Sequence, residues 1–389
     1  MNTPWALPFF EDRHRELATA LHAWMLTQQV NEQDDRAACR EWVHKLGEAG
    51  WLRYAVPLAH GGAWAALDSR ALVIIRETLS QFSPLADFAF AMQGLGSGAI
   101  TLAGTPAQQA QYLPAVASGQ KIAAFALSEP DAGSDVAGMR TSATPVAHGF
   151  EVNGVKTWIS NGGMADFYVL FAKTDVSAGT RGISAFIVDS PHAGLQDDEH
   201  LQVMSPHPLA TLRFNHCRLD PAALLGDMNG GFKLAMRTLD IFRASVAGAA
   251  LGMGRRALQE AVSHVQSRQM FGQRLSDFQL TQARLGDMAS LLESAALLTY
   301  RAAWLRDTAG SEGPAASAYT QAAAMAKLTA TENASQVIDM ALQMHGGLGV
   351  MVGNKLESLY RDIRSLRIYE GASEVQQLII GKSVLKGGA

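Results

Sequence analysis

One acidic side chain lies where the chain must turn between two helical segments. The stretch SLRIYEGASEVQQLII, residues 365–380, places Glu370 between Tyr369 and Gly371, with apolar helical patterns on both sides. A glycine after a helix end permits a sharp change of direction, so the pattern predicts a carboxylate fixed between two helices. Such a carboxylate can serve as a general base, although an acid at a helix N-terminus also suits a structural role through the helix dipole.

Two stretches in the middle of the chain combine strand patterns with hydroxyl and aromatic side chains. AFALSEPDAGSD contains Ser128 and Ser134, whose hydroxyls can bond an anion or a ring heteroatom beside a strand end. In VNGVKTWISNGGMAD, Trp158 can cover one face of a planar ring while Ser160 bonds its edge. Taken alone, the first stretch also suits an ordinary turn and Trp158 also suits a plain core position.

Two later stretches interrupt helical patterns. In VQSRQMFGQRLSDFQ the helix breaks at Gly272, and Arg268 just before it can present its planar fork to a phosphate. In LQMHGGLGV three glycines let a ligand approach the backbone. A solvated arginine and a glycine-terminated helix are the plainer alternatives. His345 and the other histidines lack metal-ligand spacing, so no metal is predicted.

Composition excludes several functional classes. The chain has 389 residues, 48% hydrophobic and 17% charged, which predicts two or three domains or layers. A net charge of -4 does not indicate the basic surface that binds nucleic acid. No run of apolar residues is long enough to cross a membrane. The N-terminal stretch does not resemble a signal peptide. Cys39 and Cys217 stand alone and suit a reducing environment, so we expect a cytoplasmic protein.

The order of the predicted elements indicates an α+β fold. Helical periodicity covers residues 1–120, short apolar or alternating runs separated by turn residues cover 121–225, and long helical segments cover 226–389. Within the middle region, Asn153-Gly154 is a hairpin signal. The polar stretch AGSEGPAAS, residues 309–317, is predicted to be a loop.

Two glycine-rich stretches imitate nucleotide-binding fingerprints. GMGRRA, which begins at Gly252, has the letters of a dinucleotide fingerprint, but no strand precedes it and the surrounding pattern is helical. The same holds for GLGSG, which begins at Gly94. We therefore interpret both as small residues that allow helices to pack closely.

Taken in their order and spacing, these stretches resemble the acyl-CoA dehydrogenase family of flavoproteins. The resemblance extends from GTPAQQAQYLPAVASG to YEGASEVQQLIIGK, and so covers nearly the whole chain. It implies an N-terminal α-helical domain (1–120), a middle antiparallel β domain (121–225) and a C-terminal four-helix bundle domain (226–389). It also implies one noncovalent FAD per subunit and a homotetramer or homodimer.

The resemblance implies a role for individual residues. Glu370 matches the catalytic base; some family members carry the base at the position of Phe242, which cannot accept a proton. The FAD-binding residues implied are Phe125, Leu127, Ser128, Ser134, Trp158, Ser160, Arg268, Phe271, Gln279, Gln343 and Gly347, the last five reaching FAD bound mainly by a neighbouring subunit. The substrate-contacting residues implied are Ser134, Asp240, Arg243, Tyr369 and Gly371.

The implied reaction is the α,β-dehydrogenation of an acyl-CoA thioester. Glu370 would remove the α-proton, FAD N5 would accept the β-hydride, and an electron-transfer flavoprotein would receive the electrons. Burial should raise the pKa of Glu370 towards neutrality. A carrier-protein thioester as substrate, or a flavin oxidase or monooxygenase on the same fold, are alternatives; the loop with Pro206 and Pro208 leaves substrate and acceptor open. Asp87 lies in the stretch expected to flank the acyl pocket and disfavours a substrate with a terminal carboxylate.

Overall fold

The computed structural model describes residues 4–309 and 313–387. The helices are α1 (Asp12–Met25), α2 (Asp35–Glu48), α3 (Ser69–Phe82), α4 (Pro84–Ala103), α5 (Pro106–Ala117), α6 (Gly231–Ser267), α7 (Gln279–Ala309), α8 (Gly313–His345), α9 (Lys355–Leu366) and α10 (Ser373–Leu385). The strands are β1 (Ala123–Ala126), β2 (Ser142–Val146), β3 (Gly149–Ser160), β4 (Phe167–Lys173), β5 (Ile183–Asp189), β6 (Leu195–Leu201), β7 (Leu209–Leu219), β8 (Leu224–Leu225), β9 (Gln269–Met270) and β10 (Gln273–Arg274).

The chain divides into two compact units. The first unit comprises Met1–Gln28, Asp68–Asp87 and Arg243–Ala389, and the second comprises Gln29–Leu67 and Phe88–Phe242. The first unit is therefore built from sequence-distant helices, whereas the second contains the main sheet. The division into domains 1–120, 121–225 and 226–389 stays a prediction from the sequence.

Helix packing organises the first unit. Helix α8 packs against α7, α9 and α10, and α3 packs against α1 and α7. Gly252 and Gly254 lie within α6, as their helical surroundings predicted. A Cβ at Gly252 would lie 2.1 Å from the carbonyl oxygen of Glu77, and one at Gly254 would lie 2.6 Å from Leu292 Cδ2. These glycines therefore permit close helix contacts rather than nucleotide binding.

One large sheet organises the second unit. Its strand order is β6-β7-β3-β2-β4-β5-β8, and β1 pairs with β4. The β1–β4 pairing is parallel, unlike the antiparallel ladders of β3 with β7 and β4 with β5. Tyr112 of α5 packs on Phe167 of β4 with ring centroids 4.8 Å apart, so α5 covers the buried side of these strands. The middle region is thus mainly antiparallel, as predicted, with β1 and one residue pair of β2 running parallel to β4.

The Asn153-Gly154 hairpin prediction is wrong. Strand β3 continues through both residues, and the ladder of β2 and β3 closes instead at Val146 and Gly149. The β3–β7 register shifts between Val152 and Gly154, so the dipeptide forms a β-bulge. Gly154 has a φ of 153°, which glycine tolerates. The same turn-forming residues therefore bend a strand here rather than reverse it.

The described residues of the predicted loop at 309–317 are helical. Residues 310–312 lie outside the described part of the chain, but α8 already begins at Gly313. Residues 313–317 are therefore helical, because a Gly-Pro pair can open a helix as well as end one. In the described ranges 4–309 and 313–387, no helix combines the length and apolar character needed to cross a bilayer.

Gly154→Ala should destabilise the protein. The new Cβ would lie 2.4 Å from Thr141 Oγ1 and 2.6 Å from Thr141 Cα, so the bulge must shift. We expect a loss of ~1–3 kcal/mol, measured by thermal or urea unfolding. Gly133→Ala is the control, since its Cβ meets no atom within 4 Å. Equal stabilities of the two variants would contradict this account of the bulge.

Candidate functional site

Glu370 lies in the short connection between α9 and α10, as the sequence predicts. Both Glu370 and the following Gly371 adopt left-handed backbone conformations, with φ values of 51° and 93°. A left-handed conformation costs a non-glycine residue roughly 1–2 kcal/mol. The connection is thus a strained turn, and strain of this kind is concentrated at functional sites.

The Glu370 carboxylate is buried without a local partner. Both of its oxygens are buried, and neither has a hydrogen-bond partner in the described part of the protein. Burial raises the pKa of Glu370, against the opposing influence of Arg76, Lys327 and Arg243. A buried carboxylate without a partner is unusual in a folded protein, and in a cluster of cations it marks a candidate catalytic base.

Arg76 and Asp87 form a buried ion pair beside this carboxylate. Arg76 donates from Nε and Nη2 to the two Asp87 oxygens at 2.8 and 3.0 Å, and from Nη1 to Ser245 Oγ at 3.1 Å. The exposed fractions of Arg76 and Asp87 are 1% and 2%. Asp87 is therefore not a lone acid that repels a substrate carboxylate, and the sequence argument based on it loses its premise.

Tyr369, Gly371 and Arg243 accompany Glu370 in the first unit. Burial raises the pKa of Tyr369, which remains a neutral phenol. The Gly371 carbonyl accepts a hydrogen bond from Lys327 Nζ at 2.7 Å. Arg243, on α6, is 6% exposed and lies within the electrostatic field of Glu370. Asp240 lies one turn earlier on α6, in the second unit, and is partly buried.

Trp158 is an exposed aromatic residue on the sheet of the second unit. It has a φ of 59° and is 57% exposed, although its neighbours Thr157 and Ile159 are buried. The β3–β7 register shifts between Lys156 and Ile159, so a second bulge turns the indole out of the core. Trp158 is therefore not a plain core residue, and its ring is available to stack on a flat ligand.

Two hydroxyl-bearing residues lie near Trp158, Ser128 just after β1 and Ser160 at the end of β3. The Thr157 N–H donates to the Ser128 carbonyl at 3.0 Å, which joins the end of β1 to β3. Ser160 Oγ is 3.2 Å from His207 Nε2. Burial lowers the pKa of His207 to about 3, so this imidazole is neutral near pH 7. His207, which lies in the loop between Pro206 and Pro208, was not predicted to be a site residue.

The remaining predicted FAD-binding residues of the second unit differ in exposure. Leu127 belongs to the hydrophobic core, and Phe125 packs on it, with its ring centroid 4.8 Å from that of Phe171. Ser128 is partly exposed and Ser134 is exposed in the following loop. Ser128 is thus accessible with Trp158 and Ser160, whereas the side chains of Phe125 and Leu127 support them from the core.

A buried ion pair fixes the loop that carries Ser134. Lys156 Nζ donates to Glu129 Oε1 at 2.8 Å and to the Leu127 carbonyl at 2.9 Å. Glu129 also accepts the backbone N–H groups of Arg140 and Thr141 at 2.6 and 3.0 Å. Burial lowers the pKa of Lys156 to about 8, opposed by Glu129. This structural role of Glu129 was not predicted.

Five of the predicted FAD-binding residues lie on the first unit, and all five are exposed. Phe271 is 87% exposed at the tip of the β9–β10 hairpin, with a φ of 50°. The ring centroids of His264 and His345 lie 4.0 Å apart, which brings the ends of α6 and α8 together. The exposed residues are Arg268, Phe271, Gln279, Gln343 and Gly347.

Family models match three successive parts of the chain. The acyl-CoA dehydrogenase N-terminal domain matches residues 11–120, the middle domain residues 124–217, and the C-terminal domain residues 229–385. The chain belongs to the acyl-CoA dehydrogenase family. The resemblance and the fold drawn from the sequence are thereby confirmed, and the protein is an oxidoreductase that acts on a CH–CH bond.

Individual acyl-CoA dehydrogenase relatives cover most of the chain. The mouse mitochondrial short-chain specific acyl-CoA dehydrogenase is 39% identical over 88% of this chain and 82% of its own. The caffeyl-CoA reductase-Etf complex subunit CarC of Acetobacterium woodii is 36% identical over 96% and 97%. The crystal structure of an acyl-CoA dehydrogenase complexed with FAD from Bacillus anthracis has a TM-score of 0.88 and 30% identity, covering 97% of this chain and 68% of that one.

FAD is the cofactor expected of this acyl-CoA dehydrogenase, and the residues present fit it. The exposed face of Trp158 suits a planar ring, and the hydroxyls of Ser128 and Ser160 suit its polar edge. In the described residues no cluster of histidine, cysteine and carboxylate side chains could hold a metal ion. The binding role of each individual residue stays a prediction.

Lys156→Met should strongly destabilise the second unit. The substitution leaves the Glu129 carboxylate, 6% exposed, without its cation. Loss of one member of a buried pair costs about 3–5 kcal/mol, so the unfolding temperature should fall sharply. Lys233→Met, at an exposed position of α6, is the control. A thermal shift no larger than that of the control would show that the pair does not hold the loop.

Proposed function

We propose that the protein oxidises an acyl-CoA thioester between its α and β carbons, with Glu370 as the base. Glu370 accepts the α-proton while a hydride leaves the β-carbon, and a carbon–carbon double bond forms. Bound FAD supplies the hydride acceptor. The observation that carries this proposal is the buried Glu370 carboxylate, whose two oxygens have no partner within the described chain.

The charges around Glu370 support this role. A base must be ionised before it can accept a proton, and burial alone favours the protonated form. Arg76, Lys327 and Arg243 act in the opposite direction on its pKa, whereas Asp87 acts with burial. The net result is a raised pKa, so the Glu370 carboxylate is more basic than an exposed one.

The backbone of the same turn suits charge stabilisation at the thioester oxygen. None of the backbone hydrogen bonds described for the turns and loops of residues 4–309 and 313–387 uses the N–H of Glu370. As the α-proton leaves, negative charge develops on the thioester oxygen, and a free backbone donor can stabilise it. Glu370 would thus contribute both its carboxylate and its N–H.

The proposal includes an electron-transfer flavoprotein as the acceptor and assembly into a homotetramer. A relative with 36% identity is named as the subunit of a reductase–Etf complex.

Phe271 and Val352 are 87% and 90% exposed, which suits burial against another subunit. Light scattering of the purified protein tests the assembly. Reoxidation of the reduced protein by an electron-transfer flavoprotein, compared with oxygen, distinguishes a dehydrogenase from an oxidase.

Glu370→Gln should abolish dehydrogenation without loss of FAD. The decisive measurement is anaerobic bleaching of the flavin by saturated acyl-CoA thioesters of several chain lengths, with carrier-protein thioesters alongside. We expect bleaching at least about 10³-fold slower in the variant, because the proton acceptor is missing. Glu293→Gln, at an exposed position of α7, should bleach like the parent. Bleaching at the parental rate in Glu370→Gln would disprove the assignment of the base.

The same Glu370→Gln variant should be more stable than the parent at high pH. Because the pKa of Glu370 is raised on folding, its ionisation destabilises the fold as pH rises from its unfolded value near 4.5 through the folded value. The variant stays neutral, so its gain in unfolding temperature should be larger at about pH 8 than at about pH 5. A gain that does not change with pH would contradict the burial of an ionised carboxylate.

A further inference from the structure

The carbonyl group that follows the proposed base is held by two buried donors. The oxygen of Gly371 accepts from Lys327 Nζ at 2.7 Å and from Gln376 Nε2 at 2.9 Å. Both donor side chains are 0% exposed. One donor comes from α8 and the other from α10, so the carbonyl is fixed from two sides.

This hold acts on the strained part of the turn. Glu370 is a left-handed residue that is not glycine, and such a conformation persists only where the surroundings determine it. A Cβ at Gly371 would lie 2.4 Å from Gln376 Nε2, so the contact also requires glycine there. The direction of the Glu370 side chain is set by the backbone that Lys327 and Gln376 hold.

A second residue of α8 holds the two ends of the same turn. Glu332 accepts from Arg367 Nε at 2.9 Å and from Ser373 Oγ at 2.6 Å. Arg367 caps α9 and Ser373 begins α10. Helix α8 therefore fixes the turn at both ends through Glu332 and at its centre through Lys327.

Lys327 differs from the other cations near Glu370 in its contact partner. Arg76 makes a two-point contact with Asp87, so most of its charge is compensated locally. Lys327 contacts a neutral carbonyl, and the carboxylate that most strongly stabilises its charge is Glu370. The ammonium group is therefore positioned to act on Glu370 without a direct ion pair.

Charged groups from four helices act on Glu370, and a partly overlapping set acts on Lys327. Glu370 is influenced by Arg76 from α3, Asp87 from α4, Arg243 from α6 and Lys327 from α8. Lys327 in turn is influenced by Glu370 and Arg243, by Glu332 on its own helix and by Glu374 of α10. Burial lowers the pKa of Lys327 to about 8, so it is mostly protonated near pH 7.

We propose that Lys327 is a positioning residue for the base: it orients Glu370 through the Gly371 carbonyl and favours the ionised carboxylate through its charge. This inference rests on the proposed function of Glu370. It assigns Lys327 two separable effects, a hydrogen bond that Gln376 shares and a charge that Gln376 lacks.

The test compares Lys327→Met with Gln376→Met. Both variants remove one donor to the Gly371 carbonyl, but only the first removes a charge. Flavin bleaching by an acyl-CoA thioester is measured against pH, and retained flavin absorbance reports folding. For Lys327→Met the acidic limb of the rate profile should move to higher pH by about one unit, because loss of a nearby cation raises the pKa of a carboxyl group. For Gln376→Met the rate should fall while the limb stays in place.

Two further variants complete the experiment. Lys327→Gln retains a hydrogen-bond donor but not the charge, so its acidic limb should shift as in Lys327→Met. It replaces Lys327→Met in the comparison if the Met variant loses FAD. Lys382→Met removes an exposed lysine of α10 and should match the parent. An unshifted limb in both Lys327 variants, or an equal shift in Gln376→Met, would overturn the inference. Glu370→Gln in the same assay distinguishes failure of the inference about Lys327 from failure of the proposed function. Bleaching at the parental rate in Glu370→Gln would disprove the assignment of Glu370 as the base.

Discussion

Much of the first unit depends on one electrostatic constraint: a carboxylate that has lost its water must still be ionised. Burial favours protonated Glu370, whereas proton abstraction requires the charged form. Helices α3, α6 and α8 each place a cation, namely Arg76, Arg243 and Lys327, near this group. These cations are buried as well, so the acid and its neighbours stabilise one another's charges.

The backbone around Glu370 obeys a related constraint. The left-handed conformation costs Glu370 free energy, although it does not cost the glycine that follows, and contacts around the turn must offset that cost. The offset comes from α8, whose Lys327 and Glu332 contact the centre and the ends of the turn. The long helix thus contributes to the direction of the Glu370 side chain and, with Arg76 and Arg243, to its charge, so geometry and basicity are coupled through one element.

The sequence predicts those features that local chemistry determines. Gly371 between two apolar helical segments located the turn and its acid, and helical surroundings explained Gly252. Features that depend on distant partners were missed. Arg76 is a charge inside an apolar helix, and its partner Asp87 lies on the next helix. The Asn153-Gly154 bulge was predicted to be a hairpin because the same residues suit both, and only pairing with β7 decides between them.

The two buried lysines of the protein's described core show how contact and distance differ in effect. Lys156 and Lys327 are both 0% exposed, and burial lowers the pKa of each to about 8. Lys156 Nζ donates to the Glu129 carboxylate at 2.8 Å, so its charge is compensated by direct contact, and the ion pair holds a loop. Lys327 touches a neutral carbonyl instead, which leaves its charge to act on the carboxylate one residue away along the chain. A lysine paired as closely with Glu370 would lower its basicity and block its oxygens, whereas contact through Gly371 keeps both oxygens open to a proton.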